Sequence, residues 1–332
     1  MSDIIRCGTI GTSRITDEFI ESTKLADGIK VSAVYSRSRQ KGTDFASKYG
    51  IHTVFTDLNE MAQSNQIDAV YIASPNSLHY GQSKLFLEHG KHVLCEKPVT
   101  VTPEELEELT ELAKKNNLIY MEAIKMLHLP VRHKLKEALN SIGKITMARF
   151  DYCQLSSKYP AYLKGEVPNI FNPEFATGCL MDLGIYCVYP AIDFFGYPDK
   201  ITAVAGFLNT GADGYGNSFF TYPDKQVHLS YSKVGQGYIG SEIIGDKGTI
   251  VIGSISTLTN IKIHFNNGTK KEIIGDVSRY EVMKEEIQNF CNFIKDKNHY
   301  KEDYLYAGKL ALQVSKAIKT IRQQAGIRFP NY

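Results

Sequence analysis

Apolar positions in the first third of the chain come in short continuous runs separated by amphipathic stretches. The runs at 4–7, 30–35, 68–74, 93–95 and 118–121 carry few polar residues, the pattern of strands buried on both faces of a parallel sheet. Between them apolar residues return at helical spacing: Ile15, Phe19 and Ile20; Phe45, Ala46 and Tyr49, stopped by Gly50; Leu85 and Phe86, stopped by Gly90; and Leu106, Leu109, Leu112 and Ala113. Asp57-Leu-Asn-Glu60 and Thr102-Pro-Glu-Glu105 have capping-box spacing, and the helix after Thr102 carries its acids early and Lys114-Lys115 late, as the macrodipole prefers. Strand and helix alternating in this way predict an α/β, doubly wound parallel sheet over residues 1–123.

The pattern changes after Ala123. A helix is expected at 130–139, an alternating strand at 145–152, a proline-bearing polar and aromatic loop at 156–173, and an apolar helix at 181–195. Alternating segments follow at 201–207, 226–231, 238–244, 249–252, 261–265 and 271–274, with Asp246-Lys-Gly248 as a tight hairpin turn. Helices at 280–294 and 303–323 close the chain. Residues 124–332 therefore read as an α+β domain built on a large, mostly antiparallel sheet, one face for helices and the other free to meet a second subunit.

Composition narrows the chemistry. With 332 residues, 43% hydrophobic, 22% charged and a formal net charge of +2, the chain lacks the basic runs of a nucleic-acid or membrane-surface binder, and no apolar run approaches the ~20 residues of a bilayer span. Six cysteines without Cys-x-x-Cys or zinc spacing read as free thiols, with no metal site. Met-Ser-Asp-Ile-Ile-Arg has no charged-then-apolar leader, so cytoplasm is the expected location.

Two stretches carry the candidate chemistry. Gly8-Thr9-Ile-Gly11-Thr12-Ser13-Arg14-Ile15-Thr16 joins the first strand to a helix, where backbone N–H groups and the helix amino end receive a pyrophosphate. Gly11 fills the first glycine place of the dinucleotide fingerprint, Ser13 the second and Thr16 the third. The second strand ends about 20 residues on, where an acid would hold the ribose of NAD; here stand Ser36 and Arg37, which suit a 2′-phosphate and favour NADP over NAD. The other stretch is His92-Val-Leu-Cys-Glu96-Lys97-Pro98, which puts a lysine at the carboxyl end of a buried strand, where ligands bind in such sheets. Position alone is equally compatible with a surface lysine.

Taken together, the Gly-Thr-Ile-Gly-Thr turn, Ser36-Arg37, Ser74-Pro75-Asn76-Ser-Leu-His79, Gly90-Lys-His-Val-Leu-Cys-Glu96-Lys97-Pro98, Met121-Glu-Ala123 and Gly178-Cys-Leu-Met-Asp182-Leu-Gly-Ile-Tyr186 resemble the Gfo/Idh/MocA oxidoreductase family. Tyr186, where many relatives have His, and the closing Gly326-Ile-Arg-Phe329-Pro330 are similar to the branch of dimeric dihydrodiol dehydrogenase and glucose-fructose oxidoreductase. The resemblance implies an NAD(P)-dependent oxidoreductase acting on a sugar, polyol, diol or related carbonyl, and a homodimer joined through the second sheet. It implies that Lys97 is the catalytic lysine, Tyr186 the proton donor or acceptor and Asp182 its partner. Gly8, Thr9, Gly11, Thr12, Ser13, Arg14, Ile15, Ser36, Arg37, Ser74, Pro75, Asn76, His79, Glu96 and Lys97 would form the cofactor cleft. Without the resemblance Tyr186 reads as a core tyrosine and His79 as a structural histidine. Ile124-Lys-Met-Leu127 departs from the aromatic and arginine stretch of the family near the substrate pocket. A rival of another class is a dinucleotide-holding sensor that turns nothing over.

Overall fold

The computed structural model describes residues 4–332, so Met1, Ser2 and Asp3, on which part of the reading of the amino terminus rests, lie outside the described residues. The chain divides into two compact units, Met1–His128 with Ser278–Lys309 and Leu129–Val277 with Leu310–Tyr332.

The first unit holds six parallel strands, β1 (Ile5–Ile10), β2 (Ile29–Tyr35), β3 (Thr53–Phe55), β4 (Ala69–Ile72), β5 (His92–Glu96) and β6 (Tyr120–Ala123), in the order 3-2-1-4-5-6. Helices α1 (Arg14–Thr23), α2 (Arg39–Ser47), α3 (Leu58–Gln63), α4 (His79–Glu88) and α5 (Pro103–Lys115) connect them, and α6 (Lys125–His128) follows β6. This is the doubly wound order expected from the alternation, with its direction reversing between β1 and β4. Local chemistry sets the helix starts. Thr102 and Glu105 make both bonds of the capping box, whereas Asp57 accepts the Glu60 N–H at 2.9 Å and makes only its own half.

The second unit is built on eight strands in the order β14-β13-β12-β11-β7-β10-β9-β8, antiparallel except where β7 (Ile145–Cys153) meets β10 (Gln226–Ser232). The others are β8 (Lys200–Phe207), β9 (Asp213–Thr221), β11 (Ser241–Gly245), β12 (Gly248–Ser254), β13 (Thr259–Phe265) and β14 (Lys270–Ile274). Helices α7 (Pro130–Leu139), α8 (Tyr159–Leu163) and α9 (Ile185–Phe195) belong to this unit. The α9 helix covers β7 and β10, with Phe150 and Phe195 stacked at 6.3 Å over buried Ala148, Val227, Leu229 and Tyr231. Burial of a side chain the size of Val227 or Leu229 contributes about 1.5–3 kcal/mol. Arg132 and Lys136 of α7 both reach buried Asp193 of α9, at 2.6 and 2.8 Å, tying the two helices by charge as well as by packing.

Three expectations change. The strand β9 was not legible, and the loop expected at 156–173 contains α8 and a 3₁₀ turn, Asn169–Phe171, around an aromatic cluster of Tyr159, Tyr162 and Phe171. The helical stretch Pro173–Phe195 is long and apolar enough to cross a membrane, against the expectation that no run reaches that length, but 89% of its most apolar window is buried inside the protein. The third concerns α10 (Arg279–Lys295), expected within a contiguous 124–332 domain. Its Met283, Ile287, Phe290 and Cys291 join Cys7, Phe19, Tyr71 and Leu94 in the core of the first unit, and the unit boundary falls inside α11 (Lys301–Ala325).

Candidate active site

In the first unit the sequence-predicted cofactor residues gather at the carboxyl ends of β1, β2, β4 and β5. Gly11 follows β1 with φ +113°, and a Cβ there would lie 2.8 Å from the Ala73 carbonyl oxygen beyond β4, so the turn requires glycine. Thr12 is half-buried, Ser13 and Arg14 are exposed, and Ile15 packs inward from the first turn of α1. Ser13 is the N-cap of α1 and makes no side-chain cap bond, while its carbonyl accepts the Thr16 and Asp17 N–H groups at 2.9 and 3.1 Å. Gly8 and Thr9 lie deeper, wholly buried within β1. A Cβ on Gly8 would strike Met61, so its glycine serves the packing beneath the turn.

At the end of β2 the half-buried Ser36 accepts the Ser38 N–H at 3.3 Å, while Arg37 is exposed. Beyond β4, Ser74, Pro75 and Asn76 are half-buried, and the Ser74 hydroxyl donates to Gln82 at 2.7 Å. His79 is buried at 1% exposure, with Nε2 2.8 Å from the Ser74 carbonyl oxygen and Nδ1 2.8 Å from that of Pro98. Burial pushes its imidazole below the ordinary value, and the two carbonyls oppose this by favouring a ring protonated on both nitrogens.

The turn that carries Lys97 is pinned on three sides. The Tyr71 hydroxyl donates to Glu96 at 2.6 Å, His79 reaches Pro98, and the Val99 N–H donates to Glu122 at 2.9 Å. Tyr71 itself stacks on Phe19 at 3.8 Å. Lys97, half-buried, is thus presented by a rigid turn rather than by a loose strand end. Behind it lies a group that the sequence reading missed. Glu286 of α10 is fully buried, neither carboxyl oxygen has a hydrogen-bond partner among the described residues, and burial beside Glu96 and Glu122 pushes its titration well up, against the pull of Lys125.

Asp182 and Tyr186 belong to the second unit. The π turn Leu180–Gly184 carries Asp182 and runs into α9, whose first turn carries Tyr186. Both side chains are half-buried on adjoining turns, and Tyr186 meets Tyr152 of β7 edge-to-face at 5.5 Å. The helix start is held by Asp213 of β9, which accepts the Leu180 N–H at 2.6 Å; a Cβ on Gly178 would collide with its other oxygen at 1.9 Å. Burial pushes Asp213 up to about 6. Asp182 forms an ion pair with Lys233, a residue at 5% exposure just past β10. Neither Asp213 nor Lys233 was singled out from the sequence, and a lone acid and a lone lysine beside glycines carry no motif that would have found them.

A doubly wound sheet with a glycine-only turn at its switch point, joined in one chain to a unit bearing a tyrosine and a carboxylate on one helix, defines a nicotinamide-dependent oxidoreductase. The chain belongs to the Gfo/Idh/MocA family: residues 5–124 match the model for the oxidoreductase family's NAD-binding Rossmann fold and residues 133–251 the model for its C-terminal domain. It is 40% identical to the NADP-dependent scyllo-inositol 2-dehydrogenase IolU of Bacillus subtilis, over 98% of this chain and 99% of that protein. It is also 29% identical to trans-1,2-dihydrobenzene-1,2-diol dehydrogenase of mouse, over 81% of this chain and 79% of that protein. Among solved structures, the 3-ketoreductase KijD10 of Actinomadura kijaniata with NADP and TDP-benzene superposes with a TM-score of 0.85 at 21% identity, over 97% and 98% of the two chains, which establishes the shared fold.

Proposed function

We propose that the protein is an NADP-dependent dehydrogenase or reductase of a cyclic polyol, sugar or diol, with Lys97, Tyr186 and Asp182 as its reacting groups. The observation that carries the reading is full-length similarity, at 40% identity, to an NADP-dependent inositol dehydrogenase. The first unit fits the dinucleotide on its own terms. Gly11 lets the turn pack against the Ala73 carbonyl at the switch point, where a dinucleotide is received, and Arg37 stands exposed where a 2′-phosphate would be met by a charge-assisted pair.

The Gly11 turn, Ser36 and Arg37 would hold the dinucleotide, which when bound would supply a hydride acceptor for a secondary alcohol or a hydride donor for a ketone. In oxidation Tyr186 takes the hydroxyl proton at its phenol oxygen, and in reduction it gives that proton back to the carbonyl oxygen. A free tyrosine titrates near ~10, so this exchange at neutral pH is aided by a cation that favours phenolate; Lys97 is the lysine that the family resemblance assigns to the reaction. Asp182 balances charge beside the phenol. Two further elements belong to this proposal. The open face of the second sheet exposes Met147, Val204, Tyr215 and Phe219, an apolar surface suited to a second copy of the chain. Six free cysteines support a reducing, cytoplasmic setting.

The test is oxidation and reduction of NADP(H) across inositols, inososes, aldoses and dihydrodiols. Turnover on a cyclic polyol with NADP preferred over NAD supports the reading; micromolar NADPH binding with no turnover across the panel overturns it in favour of a sensor.

A further inference from the structure

Lys233 is a buried ammonium that the catalytic reading leaves without a task. It follows the last residue of β10, and its backbone is fixed twice: its N–H donates to the Gly214 carbonyl at 2.9 Å and its own carbonyl accepts the Ser156 N–H at 2.9 Å. Its side chain, 6% exposed, ends on Asp182, which is 27% exposed. Removing an ammonium from water costs several kcal/mol unless it is paired, and Asp182 supplies the pairing carboxylate. The titratable groups around the pair are Asp213 from β9, Cys153 from β7, and Cys179 and Tyr186 on the helical segment itself. The field of Lys233 also acts on Asp213, the residue that holds the helix start.

We infer that Lys233 is a positioning residue: it acts on the reaction through Asp182, fixing that carboxylate in place beside Tyr186 and keeping it ionised as a fixed charge rather than as a proton carrier. The inference rests on the proposed role of Asp182 and Tyr186. Its physical basis is that a carboxylate committed to a buried ammonium is a weak base. The sheet supplies the lysine and the π turn supplies the acid, so the pair also sets how the helix that carries Tyr186 seats on the sheet.

The variants are Lys233→Met, Lys233→Arg, Asp182→Asn and the Lys233→Met/Asp182→Asn double. On the polyol found active, Lys233→Met is expected to lower kcat by about 10- to 100-fold, with the KM for NADP unchanged, and to move the acid limb of the pH profile to higher pH. Lys233→Arg should recover most of the loss. In the Asp182→Asn background Lys233→Met should add less than about twofold, as expected of groups acting as one unit. A full additional loss in that background, or an acid limb that stays in place, overturns the inference. Carbon-13 NMR of labelled aspartate reads the same coupling without substrate: the Asp182 carboxyl should titrate at higher pH in Lys233→Met than in the wild type, and an unmoved titration overturns the inference even if the wild type turns over no polyol. Absence of wild-type turnover alone would instead count against the proposed function. Should Lys233→Met fail to fold, Lys233→Gln, which removes the charge but keeps a polar partner for the Asp182 carboxylate, serves both readouts.

Discussion

Lys97 and Tyr186 differ in how far the surrounding residues dictate their placement. Lys97 sits on a turn fixed by Tyr71, His79 and Glu122, so its ammonium has a defined origin, and Lys97→Ala or Tyr186→Phe should lower turnover by at least ~10²-fold in steady-state assays. Near-normal rates in both would remove general acid and base work from these groups. Arg37→Ala should weaken NADPH by at least about tenfold while leaving NADH nearly unchanged, read by fluorescence titration. Glu286 gives a pH prediction. Its carboxyl titrates well above the ordinary 4.5 in the folded protein, so the native state holds the proton more tightly than the unfolded chain. Its contribution to stability is complete below pH 4.5 and is lost as pH rises through the folded value. Glu286→Gln, which cannot ionise, should therefore gain Tm relative to the wild type as pH rises from 5 to 9, and a pH-independent difference would contradict the burial argument. These residues also mark where sequence reading ran out. Glu286 stands next to Glu285 on an amphipathic helix, where a pair of acids looks like a solvated face, and only packing of α10 into the first core turns one of them inward.

Elements were legible where one physical signal dominated. Continuous apolar runs and caps gave the parallel sheet of the first unit, because strands buried on both faces can carry little else. The β9 strand escaped because Asp213-Gly-Tyr-Gly-Asn-Ser reads as a turn. In the structure its glycines make room for neighbouring side chains: a Cβ on Gly216 would lie 2.6 Å from the Tyr231 ring. Membership of α10 in the first unit was equally hidden, since helical periodicity tells which face is buried but not against what. The α7–α9 contact offers a test at this scale. Asp193 is wholly buried and serves two cations, so Asp193→Ala takes the paired carboxylate from the buried Arg132 guanidinium and should cost about 3–5 kcal/mol in denaturant unfolding. A loss below about 1 kcal/mol would mean that water reaches the site.

Across the whole molecule, the second sheet is covered on one face by α9 and open on the other, where Phe219 stacks on His228 at 4.7 Å beside exposed Val204. Single exposed apolar residues need no explanation, but a contiguous group on neighbouring strands does. Sedimentation should give a dimer, and Phe219→Asp with Val204→Lys should give a monomer; a wild type that is monomeric at all concentrations would reject this face as an interface. The central claim, hydride exchange between NADP and a polyol carbon aided by Lys97 and Tyr186, is tested most directly by following deuterium from carbon-deuterated scyllo-inositol into NADP. One deuterium per turnover in the wild type, with transfer suppressed in Lys97→Ala and Tyr186→Phe, is the predicted result. Unlabelled cofactor after saturating incubation of a folded, NADP-binding protein with deuterated inositols and dihydrodiols would contradict it.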